Sequence, residues 1–66
     1  MNLKKESERV KKFAIEVLGD KESAKSWLNA PQIALGWKVP ENLLNTIPGI
    51  HEVEDVLGRI EHGICL

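Results

Sequence analysis

Near the end of the chain, apolar residues recur at Ile50, Val53, Leu57, Ile60 and Ile64. Steps alternating between three and four stack along one face of an α-helix. Val56 widens the stripe, and the other side carries His51, Glu52, Asp55, Arg59 and His62. Thr46 offers a capping hydroxyl, and Pro48 is tolerated in a first turn because its missing N–H would be unpaired there anyway. Gly63 suits the left-handed residue that closes a helix. The pattern predicts a helix of about 16 residues, roughly 24 Å long. It is the longest element of the chain and the one against which the other segments pack.

Upstream, Val10, Phe13, Ala14, Val17 and Leu18 share one face of a helix beginning near Ser7. Ile15 points away from that stripe, as a stray surface residue or as a contact for a partner or second copy. Residues 1–6 are expected to fray. Gly19 stops the first helix and Asp20 caps a second, which runs to about Asn29 with Ala24, Trp27 and Leu28 inward. Pro31 ends it by pushing Ala30 out of the helical region. The connection from Ala30 to Val39 contains Ile33, Leu35, Gly36 and Trp37, so it is expected to fold back with Leu35 buried. Pro40 opens a short third helix to about Asn45, with Leu43 and Leu44 as its core residues. No segment alternates with period two. The expected fold class is all-α: a compact single domain of about four helices, the last longest, with no β-sheet.

Size and charge narrow the function. A chain of 66 residues buries only about 60% of the surface it exposes when unfolded, so its stability is expected to be marginal unless a partner adds buried area. The composition, 42% hydrophobic and 29% charged, fits a folded domain. A net charge of −1 argues against a dedicated nucleic-acid binder, which carries a clear basic excess. No run approaches a membrane span, and charges occupy the place where an export signal needs its apolar region. One cysteine cannot form an internal disulfide, and a reducing cytoplasm is the expected compartment.

Catalytic and metal chemistry find little support in the pattern. His51 and His62 lie about 16 Å apart on one helix and cannot share a metal or a substrate atom. His62 and Cys65 are a two-ligand pair, too few for zinc. Glu52, Glu54, Asp55 and Glu61 read most simply as a solvated helix face. No phosphate loop or serine elbow is present. The chain is therefore expected to be no enzyme, with no cofactor and no metal. Direct DNA reading is disfavoured too: the connection between the second and third helices is near ten residues, against three or four in a helix-turn-helix. What remains is protein binding. Trp27 reads as core, while Trp37 is open between core and interface anchor. Gly58 weakens the helix it sits in, either for close approach of another backbone or as a tolerated surface glycine. Ile64 and Leu66 are equally consistent with a docked tail and with a plug for a partner's cleft.

The residues Trp27-Leu28-Asn29, Pro31, Leu35-Gly36, Pro40, Leu43-Leu44, Thr46, Gly49, Val53, Leu57 and Arg59-Ile60-Glu61-His62-Gly63 resemble the toxin-binding domain of Xre/MbcA/ParS-type bacterial antitoxins. The resemblance runs from about Phe13 to Leu66. It implies a small all-helical domain of a type II toxin–antitoxin system. Such a domain neutralises a RES-domain toxin, an enzyme that consumes NAD or uses it for ADP-ribosylation. The C-terminal helix and tail would block the toxin's NAD site. Carried over by position, the toxin-facing residues are Arg59, Glu61, His62, Gly63, Ile64 and Leu66, with Trp37 beside them. Arg59 is placed either to meet an acidic group of the toxin or to pair with Asp55 one turn back.

Full-length relatives of this kind carry an Xre-like DNA-binding domain ahead of this region, whereas twelve residues precede Phe13 here. The expectation is a single toxin-binding domain over 1–66 without an N-terminal DNA-binding domain, and a homodimer is compatible with it. The alternative is a small helical transcriptional regulator without a toxin partner.

Overall fold

A computed structural model describes residues 2–63 of the chain. Four α-helices and one 3-10 turn follow in the order α1 (Leu3–Leu18), α2 (Lys21–Leu28), the 3-10 turn (Ile33–Leu35), α3 (Pro40–Leu43) and α4 (Ile47–Glu61). The all-α expectation holds, but the last helix is not the longest: α1 has 16 residues and α4 has 15, because α1 starts earlier than its apolar spacing suggests. The only extended pairing among the described residues is an isolated bridge between Gln32 and Lys38.

Capping chemistry sets most of the boundaries. The Asn2 side-chain carbonyl accepts from the backbone N–H of Lys4 at 3.1 Å and of Lys5 at 3.3 Å. That cap starts α1 at Leu3 rather than near Ser7, because asparagine satisfies donors the first turn would leave unpaired. Gly19 takes the left-handed conformation (φ 100°), and its N–H donates to the Ile15 carbonyl at 2.8 Å. Asp20 then caps α2 through the Ser23 N–H at 2.7 Å. Thr46 caps α4 through the Gly49 N–H at 3.1 Å. Gly49 has a second role. A Cβ there would collide with the Leu43 carbonyl oxygen, so only glycine lets the end of α3 run against the first turn of α4.

The core forms where α1 lies on α4. Val10, Ala14, Ile50, Val53 and Leu57 are fully buried, and Ala24, Leu28, Leu35, Leu44 and Val56 extend the cluster to the other elements. The α1 stripe holds, with Phe13, Val17 and Leu18 half-buried around it. Leu35 is buried as expected, Leu44 joins the core, and Leu43 and Trp27 pack half-buried against it. Ile15 is neither a stray surface residue nor a free contact. It is half-buried against the core, beside Ala24 and Leu28, because α2 packs on the flank of α1 that the main stripe leaves open. The radius of gyration, 10.9 Å, equals the roughly 10.8 Å expected of a well-packed domain of this length.

One core expectation fails. Ile60 keeps the angular register of the α4 stripe but is 42% exposed. Helical periodicity fixes a residue's angle, not how far neighbouring elements extend along the axis. At the last turn of α4 the stripe is thus followed in angle but not covered.

Across the α1–α4 seam, Arg9 clamps both helices. Its guanidinium donates to Glu6 at 2.9 Å and to Glu54. This hydrogen bond, against a smaller opposing effect of burial, holds the Glu54 carboxyl below its ordinary value and keeps Arg9 charged.

Candidate functional site

The toxin-facing residues proposed from sequence fall in two places. Arg59 and Glu61 lie in the last turn of α4, followed by His62 as its C-cap and Gly63, and all four are exposed. The His62 N–H donates to the Gly58 carbonyl at 3.1 Å, and the Gly63 N–H to the Ile60 carbonyl at 3.1 Å. Gly63 is left-handed (φ 64°), the helix-closing conformation expected of it. Ile64 and Leu66 lie outside the described residues.

Arg59 pairs with Asp55 at 3.0 Å, one turn back, with both side chains about two-thirds exposed. Such a pair contributes about 0–1 kcal/mol, so exchanging Asp55 for another carboxylate costs little. Gly58, which precedes Arg59, opens a groove between α1 and α4. Phe13 and His51 line it on one side of Gly58, and Glu61 and His62 lie towards the helix end. Nothing stands within 4 Å of where a Gly58 Cβ would be, so no contact within the chain requires glycine there.

Trp37 is the second place. It is not core: it is 67% exposed. It is also the only non-glycine residue with positive φ (66°) among the described residues. A left-handed bulky residue is strained by about 1–2 kcal/mol and persists only where its surroundings over-determine it. They do so here. Trp37 N–H donates to the Gln32 carbonyl at 2.9 Å, Gln32 N–H to the Lys38 carbonyl at 3.1 Å, and Gly36 N–H to the Ile33 carbonyl at 3.0 Å. The Gln32 side-chain amide donates to the Trp27 carbonyl at 3.0 Å and the Ala30 carbonyl at 3.2 Å, tying the loop to the end of α2. Leu35 anchors it in the core. Consecutive left-handed residues, Gly36 and Trp37, then turn the indole outward.

Three exposed apolar residues were not singled out as site residues from sequence, and one of them, Leu3, lies apart in the first turn of α1. Ile33, in the same loop, is 73% exposed, and Ile60 lies between Arg59 and Glu61. The signal for Ile33 was the apolar character of the connection, which sequence reading assigned wholly to back-folding.

Among the described residues, no three His, Cys, Asp or Glu side chains gather as a metal site, no polar or charged side chain is buried, and no helix is long and apolar enough to cross a membrane. The surface that stands out is made of projecting groups: a strained indole, two isoleucines and a charged helix end.

Comparison with known proteins agrees with that reading. Residues 13–63 match the antitoxin Xre/MbcA/ParS C-terminal toxin-binding domain. Two curated relatives are each named Antitoxin Xre. That of Photorhabdus laumondii subsp. laumondii is 39% identical over 66 aligned residues, and that of Yersinia enterocolitica serotype O:8 is 41% identical over 66. Each alignment covers 89% of this chain and 45% of the relative, so the chain spans less than half the length of these relatives. No solved structure matches. The resemblance first carried by the Trp27–Gly63 residues is thereby confirmed, and the chain belongs to the Xre/MbcA/ParS antitoxin family through its C-terminal toxin-binding domain.

Proposed function

We propose that this chain is an antitoxin of a type II toxin–antitoxin system, acting in the cytoplasm without catalysis of its own. Its partner is a RES-domain toxin that consumes NAD or transfers ADP-ribose from it. Inhibition is steric: the end of α4, with Arg59, Glu61, His62 and Gly63, and the tail residues Ile64 and Leu66 occupy the toxin's active-site cleft. The observation that carries the reading is the match of residues 13–63 to a toxin-binding domain. The form of α4 supports it, since its last turn leaves the core and presents Ile60 uncovered beside exposed charges. The RES assignment rests on the sequence resemblance through Arg59-Ile60-Glu61-His62-Gly63. Arg59 meets an acidic toxin group by giving up an exposed pair with Asp55, an exchange that opposes binding only weakly.

The test uses the purified RES-domain protein of a neighbouring reading frame and follows NAD loss. The full chain is expected to bind it and suppress NAD consumption, and a chain lacking residues 63–66 is expected to lose suppression. Unchanged affinity and inhibition after that deletion would remove the occlusion mechanism. A full chain that neither binds nor inhibits would remove the toxin assignment.

A further inference from the structure

We propose that the Gln32–Lys38 loop is a second anchor for the same toxin, separate from the occluding helix end, with Trp37 seated in an apolar pocket of the toxin. This rests on the toxin-binding reading above. The loop has the makings of a binding element rather than a connection. It holds two uncovered apolar side chains, Ile33 at 73% and Trp37 at 67% exposure. Tryptophan is over-represented among residues that dominate binding energy, and such residues sit inside a polar rim. Lys38 on the loop and Glu52, Asp55 and Arg59 on α4 supply charged groups along a groove that Ala34 and Leu35 of the same loop also line.

The loop is also pre-organised. Five of its residues are fixed by backbone hydrogen bonds among Gln32, Ile33, Gly36, Trp37 and Lys38. Its indole is held outward by a backbone conformation that glycine would adopt more readily. An anchor already fixed in place loses little conformational freedom on binding.

Arg59 commits the surface to the toxin rather than to a separate partner. It lines the groove beside the loop and also the groove between α1 and α4 that leads to Glu61 and His62. The loop and the helix end thus border two grooves that meet at Asp55 and Arg59. A toxin whose cleft receives the end of α4 is brought against the loop as well. The anchor supplies affinity and residence time, and the helix end supplies inhibition.

Two variants separate these roles. Trp37→Gly removes the indole while suiting the left-handed backbone, and Ile33→Ser removes the second apolar contact without touching the turn. Affinity for the purified RES-domain protein is measured by calorimetry, alongside NAD loss, thermal midpoint and sedimentation of the isolated chain. Trp37→Gly is expected to melt no lower than the parent, to bind at least tenfold more weakly, and still to suppress NAD loss at saturating concentration. Ile33→Ser is expected to bind several-fold more weakly. Affinities within twofold of the parent in both variants would overturn the anchor while leaving the toxin-binding reading intact. If toxin affinity is unchanged but the parent's self-association is lost, a second copy covers the knob and the proposal fails. A parent chain that does not bind the RES-domain protein removes both readings together.

Discussion

The α1–α4 core and the surface made by the Gln32–Lys38 loop with the end of α4 draw on the same residue types and use them in opposite ways. In the core, Val10, Ile50, Val53 and Leu57 are fully buried on the faces that helical spacing assigns them. In the other region, Ile33, Trp37 and Ile60 are uncovered, and Trp37 adopts a backbone conformation that works against its own side chain. The core minimises free energy locally. The surface leaves part of that minimum unrealised, and such departures concentrate where function competes with folding. The difference separates residues that make the domain from residues a partner would complete.

Paired truncations give the largest contrast. Leu57→Ala is expected to cost about 2–5 kcal/mol. A domain of this length has only about 3–10 kcal/mol in total, so much of the population should be unfolded by circular dichroism at 37 °C. Ile60→Ala, one turn further on, should cost under about 1 kcal/mol in urea titration. Equal costs would mean that the last turn belongs to the core after all.

Gly58→Ala comes next. With nothing within 4 Å of the added methyl, it should stabilise the isolated chain by about 0.5–1 kcal/mol and raise the thermal midpoint by several degrees. A lower midpoint would show that the bare position serves the fold itself.

The smallest effect is that of the Arg9 clamp. Because folding lowers the Glu54 pKa from its ordinary value of 4.5, the pair's stabilisation is fully present above that value. It is lost as pH falls through the lowered one. Both side chains are partly exposed, 48% and 35%, so Arg9→Ala should cost only about 0.2–1 kcal/mol at pH 7. The gap between parent and variant should close as pH falls below the ordinary value of 4.5 and through the lowered one. A gap that widened in acid would invert the assignment.

Sequence carried the helices well because their signals are local. The three-four spacing in α1 and α4, the caps Asp20 and Thr46, and the stops at Gly19 and Pro31 all act within a turn or two. Leu35 was legible as the one residue through which the connection folds back. The rest depends on what lies beside each element. The flank of Ile15 is closed by α2, and Ile60 is left uncovered in the last turn of α4. The outward Trp37 is set by hydrogen bonds from Gln32 to both ends of its loop, which no spacing rule encodes. Within the candidate site, Arg59, Glu61, His62 and Gly63 came from resemblance, and the structure adds that they share one end of α4 with Ile60. Ile33 was missed because an apolar residue in a connection reads as core until its neighbours are known.

The most direct measurement is amide hydrogen exchange on the chain, free and bound to the RES-domain protein. The account predicts new protection in the last turn of α4 and in residues 32–38, with no change along the surface where α1 meets α2. Protection gained at α1 and α2 instead, with the loop and the end of α4 exchanging as before, would place the partner on a different face of the molecule and contradict it.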